Sequence, residues 1–540
     1  MKRIPFLWVL CTLWTLLTPL TAVASELLPR IEPTPAASVP ARRVERLEIS
    51  GNTVLSSAEL EAAAAPWLGR ALDEAEIEAL RQHLSRVYVE RGYVNSGLLL
   101  APQQNQAGVL RLRAVEGRLT AVTLRGLDGL NPAHVRARLG AADGVLNMDQ
   151  LRERFQVLLN DPLLSRVNAR LLPGEQLGEA VLDVEVERAR PWRLSAFANN
   201  YRPVSVGEAA VGLRGQLSNL SGQGDVLDAH LLWPASADGR HQKGQQSLGW
   251  RLPLTALGLA FTQLQMGAER GDSAITEEPV RQLDIRSRTR GLDLGLSHTL
   301  SESPAGRQAA GLQRQWRRQS SSLLGEPYSF TAGVPDGRVR ESQWRLWHEG
   351  QWRSERQVWV LRSTLGLGRT NAISEPDVPG LEAAPAARFA YLNLQGQWLR
   401  KLSEDGLQLN LRLLAQAARD RLLPLSGMAL GGVRSVRGSR ENQWVRDEGL
   451  VVNLGLEWPW MPSGWDGLRF VLEPFVDYGR VRNRGQAWVD QGSAGLALRL
   501  TWRGWQLDLA AAGRIKGDAV ASERDSLQDR GLHVQLTHTW

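Results

Sequence analysis

The chain has 540 residues, a hydrophobic fraction of 43%, and 64 Lys plus Arg against 57 Asp plus Glu, for a net charge of +7. That length exceeds one ordinary core, and the slightly negative mean hydropathy excludes a protein built from membrane helices. The excess positive charge is spread along the chain without Lys/Arg runs, so nucleic acid is not an expected partner.

Lys2 and Arg3, an apolar run from Phe6 to Leu20 and the small residues Ala22, Val23 and Ala24 have the layout of a secretory signal over residues 1–24. Pro19 breaks the run, which is shorter than the roughly 20 residues a spanning helix needs. The single cysteine, Cys11, lies inside it, so the mature chain is expected to hold neither disulfide nor thiolate site. Residues 25–41 hold Pro29, Pro33, Pro35 and Pro40 and read as an extended leader. Nothing downstream offers about 18 successive apolar residues, which leaves a soluble protein or a β-barrel.

Residues 42–119 have mixed periodicity. A strand over Val44–Ile49 ends at Gly51-Asn52. Ser56 and Glu59 have capping-box spacing for a helix over Ala58–Ala65 that Pro66 closes. Asp73 and Glu76 repeat that signal for a second helix with Ile77, Leu80, Leu84 and Val87 on one face, ending at Gly92. Tyr93–Leu100 and Val109–Val115 then read as strands, giving the order β-α-α-β-β. Residues 120–191 repeat this order: Val122 and Leu124 in a strand, Asn131-Pro132 and Asn147 with Gln150 starting two helices, and Leu182, Val184 and Val186 alternating with acidic residues. Two small α+β modules in tandem follow from the pattern.

Residues 192–540 alternate at period 2. Leu450, Val452, Leu454, Leu456, Trp458 and Trp460 face one way and Asn453 and Glu457 the other, and Leu407, Leu409, Leu411 and Leu413 oppose Gln408, Asn410 and Arg412. Such a length suits about 16 strands at roughly 20 residues per strand and connection. Trp398, Trp458, Trp460, Trp502 and Trp505 fall at strand ends, as an aromatic girdle requires. A final strand ending on Trp540 adds the terminal aromatic of a membrane-insertion signal. The expected fold is two α+β modules followed by an all-β transmembrane barrel.

Within the barrel region GGVRSVRGSRENQW spans Gly431–Trp444 and FVDYGR spans Phe475–Arg480. Glu473, Phe475 and Asp477 share one face at period 2, which aims Asp477 into the lumen. A confined carboxylate favours a bidentate guanidinium, and Arg437 supplies one.

This arrangement resembles the outer-membrane transporter of two-partner secretion, in the Omp85 superfamily. ISGNTVLS at Ile49–Ser56, the run Tyr88–Gly97 and Val115–Gly117 are similar to a POTRA domain of that family. LSNLSGQGD at Leu217–Asp225 resembles a turn placed after the first barrel strand at the barrel mouth, with Asn219, Gly222, Gly224 and Asp225 as its fixed points. Val436, Arg437 and Gly438 resemble the tip of the sixth extracellular loop, and Phe475, Asp477 and Gly479 the wall motif receiving it. Ser439 departs from the aromatic usual after that tip, so the tip lacks a ring that could pack against Phe475, and the tightness of docking stays open. The Pro-rich leader also departs from the plug helix some members carry.

The resemblance implies a pore in the outer membrane of a Gram-negative bacterium with its POTRA domains in the periplasm. Its partners would be a large exported protein with an N-terminal secretion domain, outer-membrane lipid and the barrel assembly machinery. Two other classes remain: an insertase of the same superfamily, expected to carry more POTRA modules, and a diffusion porin or receptor, which needs none. No metal, nucleotide or other cofactor motif stands out, and the scattered histidines show no HExxH spacing, so no enzyme is expected.

Overall fold

The computed structural model describes residues 41–103, 108–140, 144–235, 244–373, 384–517 and 526–540. The expected signal and all but the end of the leader lie outside them. The chain forms two compact units, one of Tyr88 and the residues before it with Gly97–Val115, the other holding Val89–Ser96 and everything from Glu116 onward.

In the first unit β1 (Arg42–Ser50), β2 (Arg70–Leu72), β3 (Gly97–Leu100) and β4 (Gly108–Val115) form a sheet in the order β2-β1-β4-β3. Helix α1 (Ser57–Ala64) starts on a capping box in which the Ser56 amide donates to Glu59 Oε2 at 2.9 Å and the Glu59 amide donates to Ser56 Oγ at 3.3 Å. Asp73 and Glu76 exchange the same bonds, at 2.7 and 3.1 Å, ahead of α2 (Glu74–Glu90). The buried stripe of α2 is Leu80, Leu84 and Tyr88, while Ile77 and Val87 are half-buried. Two details differ from the sequence pattern. The edge strand β2 carries too few residues to show alternation, and Tyr93–Ser96 turns rather than extends, with the Ser96 amide bonded to the Tyr93 carbonyl at 3.0 Å.

The second unit opens with a three-stranded sheet of β5 (Arg118–Arg125), β7 (Glu179–Arg188) and β6 (Leu164–Pro173), in that spatial order. Helices α3 (Pro132–Leu139) and α4 (Met148–Leu159) cover it, with Val135, Leu139, Leu158, Leu182 and Val184 in the core. Asn131 caps α3 and Asn147 caps α4, each side chain accepting backbone amides of the first turn.

Sixteen antiparallel strands then close a barrel, from the first, Trp192–Asn199, to the last, Leu532–Thr539. Each pairs with the next, and the last pairs with the first through Gln535–Thr539 against Ser195–Asn199. Alternation works as the sequence implied. Leu454, Leu456, Trp458 and Trp460 are exposed on the outer face, while Asn453 and Asp477 are buried inside. Interior polar groups pair with one another, as in Tyr391 hydroxyl to Gln343 Oε1 at 2.9 Å and Gln343 to Gln315 at 3.0 Å.

One expectation is corrected. The turn in Leu217–Asp225 follows the second barrel strand, Ala210–Ser218, and not the first. Trp192–Asn199 already belongs to the wall, because it bonds to the second strand on one side and to the last on the other.

Candidate functional site in the barrel lumen

The connection between the eleventh strand (Gln408–Ala418) and the twelfth (Glu448–Trp460) folds into the barrel. Its base is a two-stranded ribbon, Met428–Leu430 against Trp444–Arg446. Gly431 and Gly432 follow at φ 102° and 99°, a region closed to most side chains, and reverse the chain into the tip.

At that tip Arg437 is 4% exposed and Asp477, on the thirteenth strand Arg469–Arg482, is fully buried. Arg437 Nε donates to Asp477 Oδ2 at 2.8 Å and Nη2 to Oδ1 at 2.9 Å, a bidentate pair. Its backbone amide adds a third bond to Oδ2 at 3.0 Å, and Nη1 reaches Glu473 Oε1 at 3.1 Å. The guanidinium carbon stands 3.3 Å above the centre of the Phe475 ring. One side chain thus engages three residues at alternate positions of one strand, as the inward face of a pleated wall allows. Two carboxylates around one cation satisfy the guanidinium in a site where an unpaired charge would be costly.

The neighbouring motif residues shape the seat. Val436 is fully buried with Met428, Leu430, Val451 and Val481. A Cβ at Gly479 would meet Leu430 at 2.3 Å and press on Val451 and Val436 at 3.1 and 3.2 Å, so this glycine leaves room for the packing of Leu430 and Val436. Gly438, at φ 82°, donates its amide to His533 Nε2 at 3.2 Å, and a Cβ there would come within 2.8 Å of Ala512. Ser439 is buried, and its hydroxyl has no partner among the described residues. With Ser439 in place of an aromatic, it is Arg437 that covers the face of Phe475.

Sequence reasoning missed a second anchor. Arg440 forms a bidentate pair with Asp529 at 2.6 and 2.9 Å and reaches Glu277 at 2.9 Å. The Glu441 amide donates to Gln528 Oε1 at 2.8 Å. Arg440 sits only three residues beyond Arg437, which is a signal. Its partners lie in connections far along the chain, with no local pattern to mark them.

The remaining predicted residues sit apart from the lumen tip. In the turn at the barrel mouth, Asp225 is buried and accepts the Ser221 amide at 2.9 Å, the Ser221 hydroxyl at 2.6 Å and Trp250 Nε1 at 2.8 Å. Asn219 accepts the Gly224 amide at 2.8 Å. The turn rests on α3: the Asn131 amide donates to the Gly222 carbonyl at 2.8 Å, and Asn131 Nδ2 to Gln223 at 2.9 Å. Beneath it buried His134 lies 2.8 Å from Asp161, which also holds Arg138 at 3.1 Å. Burial keeps the His134 imidazole below its usual value despite that hydrogen bond, and Arg138 adds to the effect. Burial alone would raise the Asp161 carboxyl, but the His134 hydrogen bond and the Arg138 charge hold it low. Trp540 donates its amide to the Leu194 carbonyl at 2.9 Å, and its ring is near-perpendicular to that of His538 with centroids 4.5 Å apart.

The sequence model described as haemolysin secretion/activation protein ShlB/FhaC/HecB matches residues 178–502, more than half of the chain. The chain belongs to the ShlB/FhaC/HecB family. A ShlB-type POTRA domain matches residues 43–117 of this family member. It is 23% identical to the outer membrane transporter CdiB of Dickeya dadantii, over 87% of this chain and 82% of that one. It is 22% identical to the hemolysin transporter HpmB of Proteus mirabilis, over 92% and 86%. Among solved structures, CdiB from Escherichia coli has the same fold, with a TM-score of 0.71 at 20% identity over 95% of this chain and 93% of that one. BamA from Haemophilus ducreyi, lacking its POTRA domains 1–3, has a TM-score of 0.52 at 12% identity over 93% of this chain and 100% of that one. Members of the ShlB/FhaC/HecB family are outer-membrane two-partner secretion transporters, with the POTRA domains on the periplasmic side.

Proposed function

We propose that this chain takes up an unfolded exported partner protein through its POTRA domains and passes it through the barrel to the cell surface or medium without ATP. The observation that carries this reading is the loop seated in the lumen by Arg437 on Glu473, Phe475 and Asp477, a removable occupant of a polar-walled pore. Sheet edges support the uptake step. Strand β6 bonds only to β7 among the described residues, leaving an edge on which an extended client can add a strand by main-chain hydrogen bonds, with side-chain pockets selecting it. The polar inner face then hydrates the moving chain, and folding outside makes the step directional. Trp540 and the last strand serve as the signal for insertion by the barrel assembly machinery.

The test is co-expression with candidate large exported partners carrying an N-terminal secretion domain, assaying which reaches the medium or surface. Arg437→Ala and Asp477→Ala should each impair that export while the barrel remains inserted, as judged by its heat-dependent gel mobility. Normal export by both single variants would remove the loop from the mechanism.

A further inference from the structure

On the outer wall, at the end of the barrel away from the second module, four arginines stand in one straight row. Arg270 of the fifth strand is aligned with Arg290 of the sixth, Arg290 with Arg318 of the seventh, and Arg318 with Arg340 of the eighth. Directly opposed residues of neighbouring strands share a face. Here it is the lipid-side face of Leu292, Leu294, Leu296 and Trp316, all exposed. The first strand leaves the second module, so odd-numbered strands run outward. Arg270 is near the end of the fifth strand, Thr262–Ala274, and Arg290 near the start of the sixth, Arg286–Ser303, which puts the row at the extracellular rim of the apolar band.

Each of the four is exposed. Among the described residues none has a carboxylate within ion-pair distance, whereas Arg288, one row further out, has Asp272 at 3.4 Å. Like charges set directly opposite one another weaken strand pairing. Three such pairs in succession, on strands about 4.8 Å apart, are a standing cost that a bound anion relieves.

The surroundings say what kind of anion. Trp316 stands one row below, and two rows below Arg314 is opposed to Trp344, with its guanidinium carbon 5.5 and 5.1 Å from the two rings and Nη2 donating to Ser342 at 3.0 Å. This arginine therefore extends upward from the apolar band toward the row. The row borders a concavity of about 680 Å³ that Trp316 and Leu292 also line. Guanidinium groups match phosphate bidentately, and the leucines below offer a surface for hydrocarbon. A free anion would use the first feature and not the second.

We infer that this face binds a phosphate-bearing, multiply acylated lipid of the extracellular leaflet. Its phosphates lie across Arg270, Arg290, Arg318 and Arg340, and its acyl chains run down Leu292, Leu294 and Leu296. The row lies on the lipid side of the wall; on the lumen side the neighbouring Arg317 donates to the Leu425 carbonyl at 2.7 Å and Glu341 accepts the Ser426 hydroxyl at 2.8 Å, both in the inward-folded connection.

The experiment uses the full-length protein in detergent, titrated with diphosphorylated lipid A and followed by native mass spectrometry. Dephosphorylated lipid A, phosphatidylglycerol and inorganic phosphate are the comparison probes. The Arg290→Gln/Arg318→Gln variant should bind diphosphorylated lipid A at least about tenfold more weakly than the unaltered chain, and the dephosphorylated form should bind both equally poorly. Heat-dependent mobility verifies the fold, and Arg270→Gln/Arg340→Gln, at the two ends of the row, provides a second variant if the first does not insert. Equal binding of diphosphorylated lipid A by the folded variant and the unaltered chain overturns the proposal. So does phosphatidylglycerol binding as tightly as lipid A, or inorganic phosphate displacing the lipid at equal concentration.

Discussion

Arg437 makes four hydrogen bonds and covers one ring, so it has no conservative replacement. Removing one partner of a buried ion pair costs about 3–5 kcal/mol, which shifts the seated loop population by about two orders of magnitude or more. Arg437→Lys keeps the charge but loses the fork; export should fall between that of the unaltered chain and Arg437→Ala, measured as secreted partner per inserted barrel. Gly479→Val should unseat the loop with every charge intact, because its side chain would displace Leu430 and press on Val436; protease sensitivity of the loop would report it, and an unchanged loop would disprove the steric argument. The Arg437 and Asp477 pairing was legible because period 2 shows which residues face the lumen and an inward carboxylate needs a cation. The Arg440 anchor was not, because Asp529 and Glu277 come near it only through the closure of the barrel.

At the scale of elements, caps and periodicity were enough for the helices, and the alternating strands were equally plain. What escaped were pieces too short for a pattern, such as β2, and the place of Trp192–Asn199 as a wall strand, which depends on pairing with residues at the other end of the chain. The packing of α3 under the barrel-mouth turn leads to a pH prediction. His134 and Asp161 both have folded values below their ordinary ones, so each supplies stability at higher pH that is lost on acidification. For His134 the loss begins as pH falls below about 6.5, and for Asp161 only below about 4. Amide protection factors in α3 and the Leu217–Asp225 turn, taken relative to the intrinsic exchange rate at each pH, should therefore fall between about pH 7.5 and pH 5.5, and His134→Gln should flatten that dependence. An unchanged slope in the variant would show that another group is responsible.

For the whole molecule, barrel closure is its thinnest join: the first and last strands share Ser195–Asn199 with Gln535–Thr539, a shorter pairing than any other between neighbouring wall strands. A pore that exports through its lumen has no need to open there, whereas an insertase does. Cysteines placed at the directly opposed Ala198 and Leu536, in a chain whose sequence holds a single cysteine, Cys11, allow that seam to be locked. Export should survive oxidation, and a loss reversed by reductant would favour lateral opening. The two arginines of the loop tip give the barrel a further property. Arg437 is tied to the thirteenth strand, and Arg440 to the connection before the last strand and the one before the sixth. The loop is thus a strut slung between separate arcs of the wall, so that detaching one end leaves it hanging from the other. Full opening then requires both ends to let go, and single-channel recordings should show Arg437→Ala and Arg440→Ala each flickering among partial conductances, with sustained full opening only when both moorings are cut.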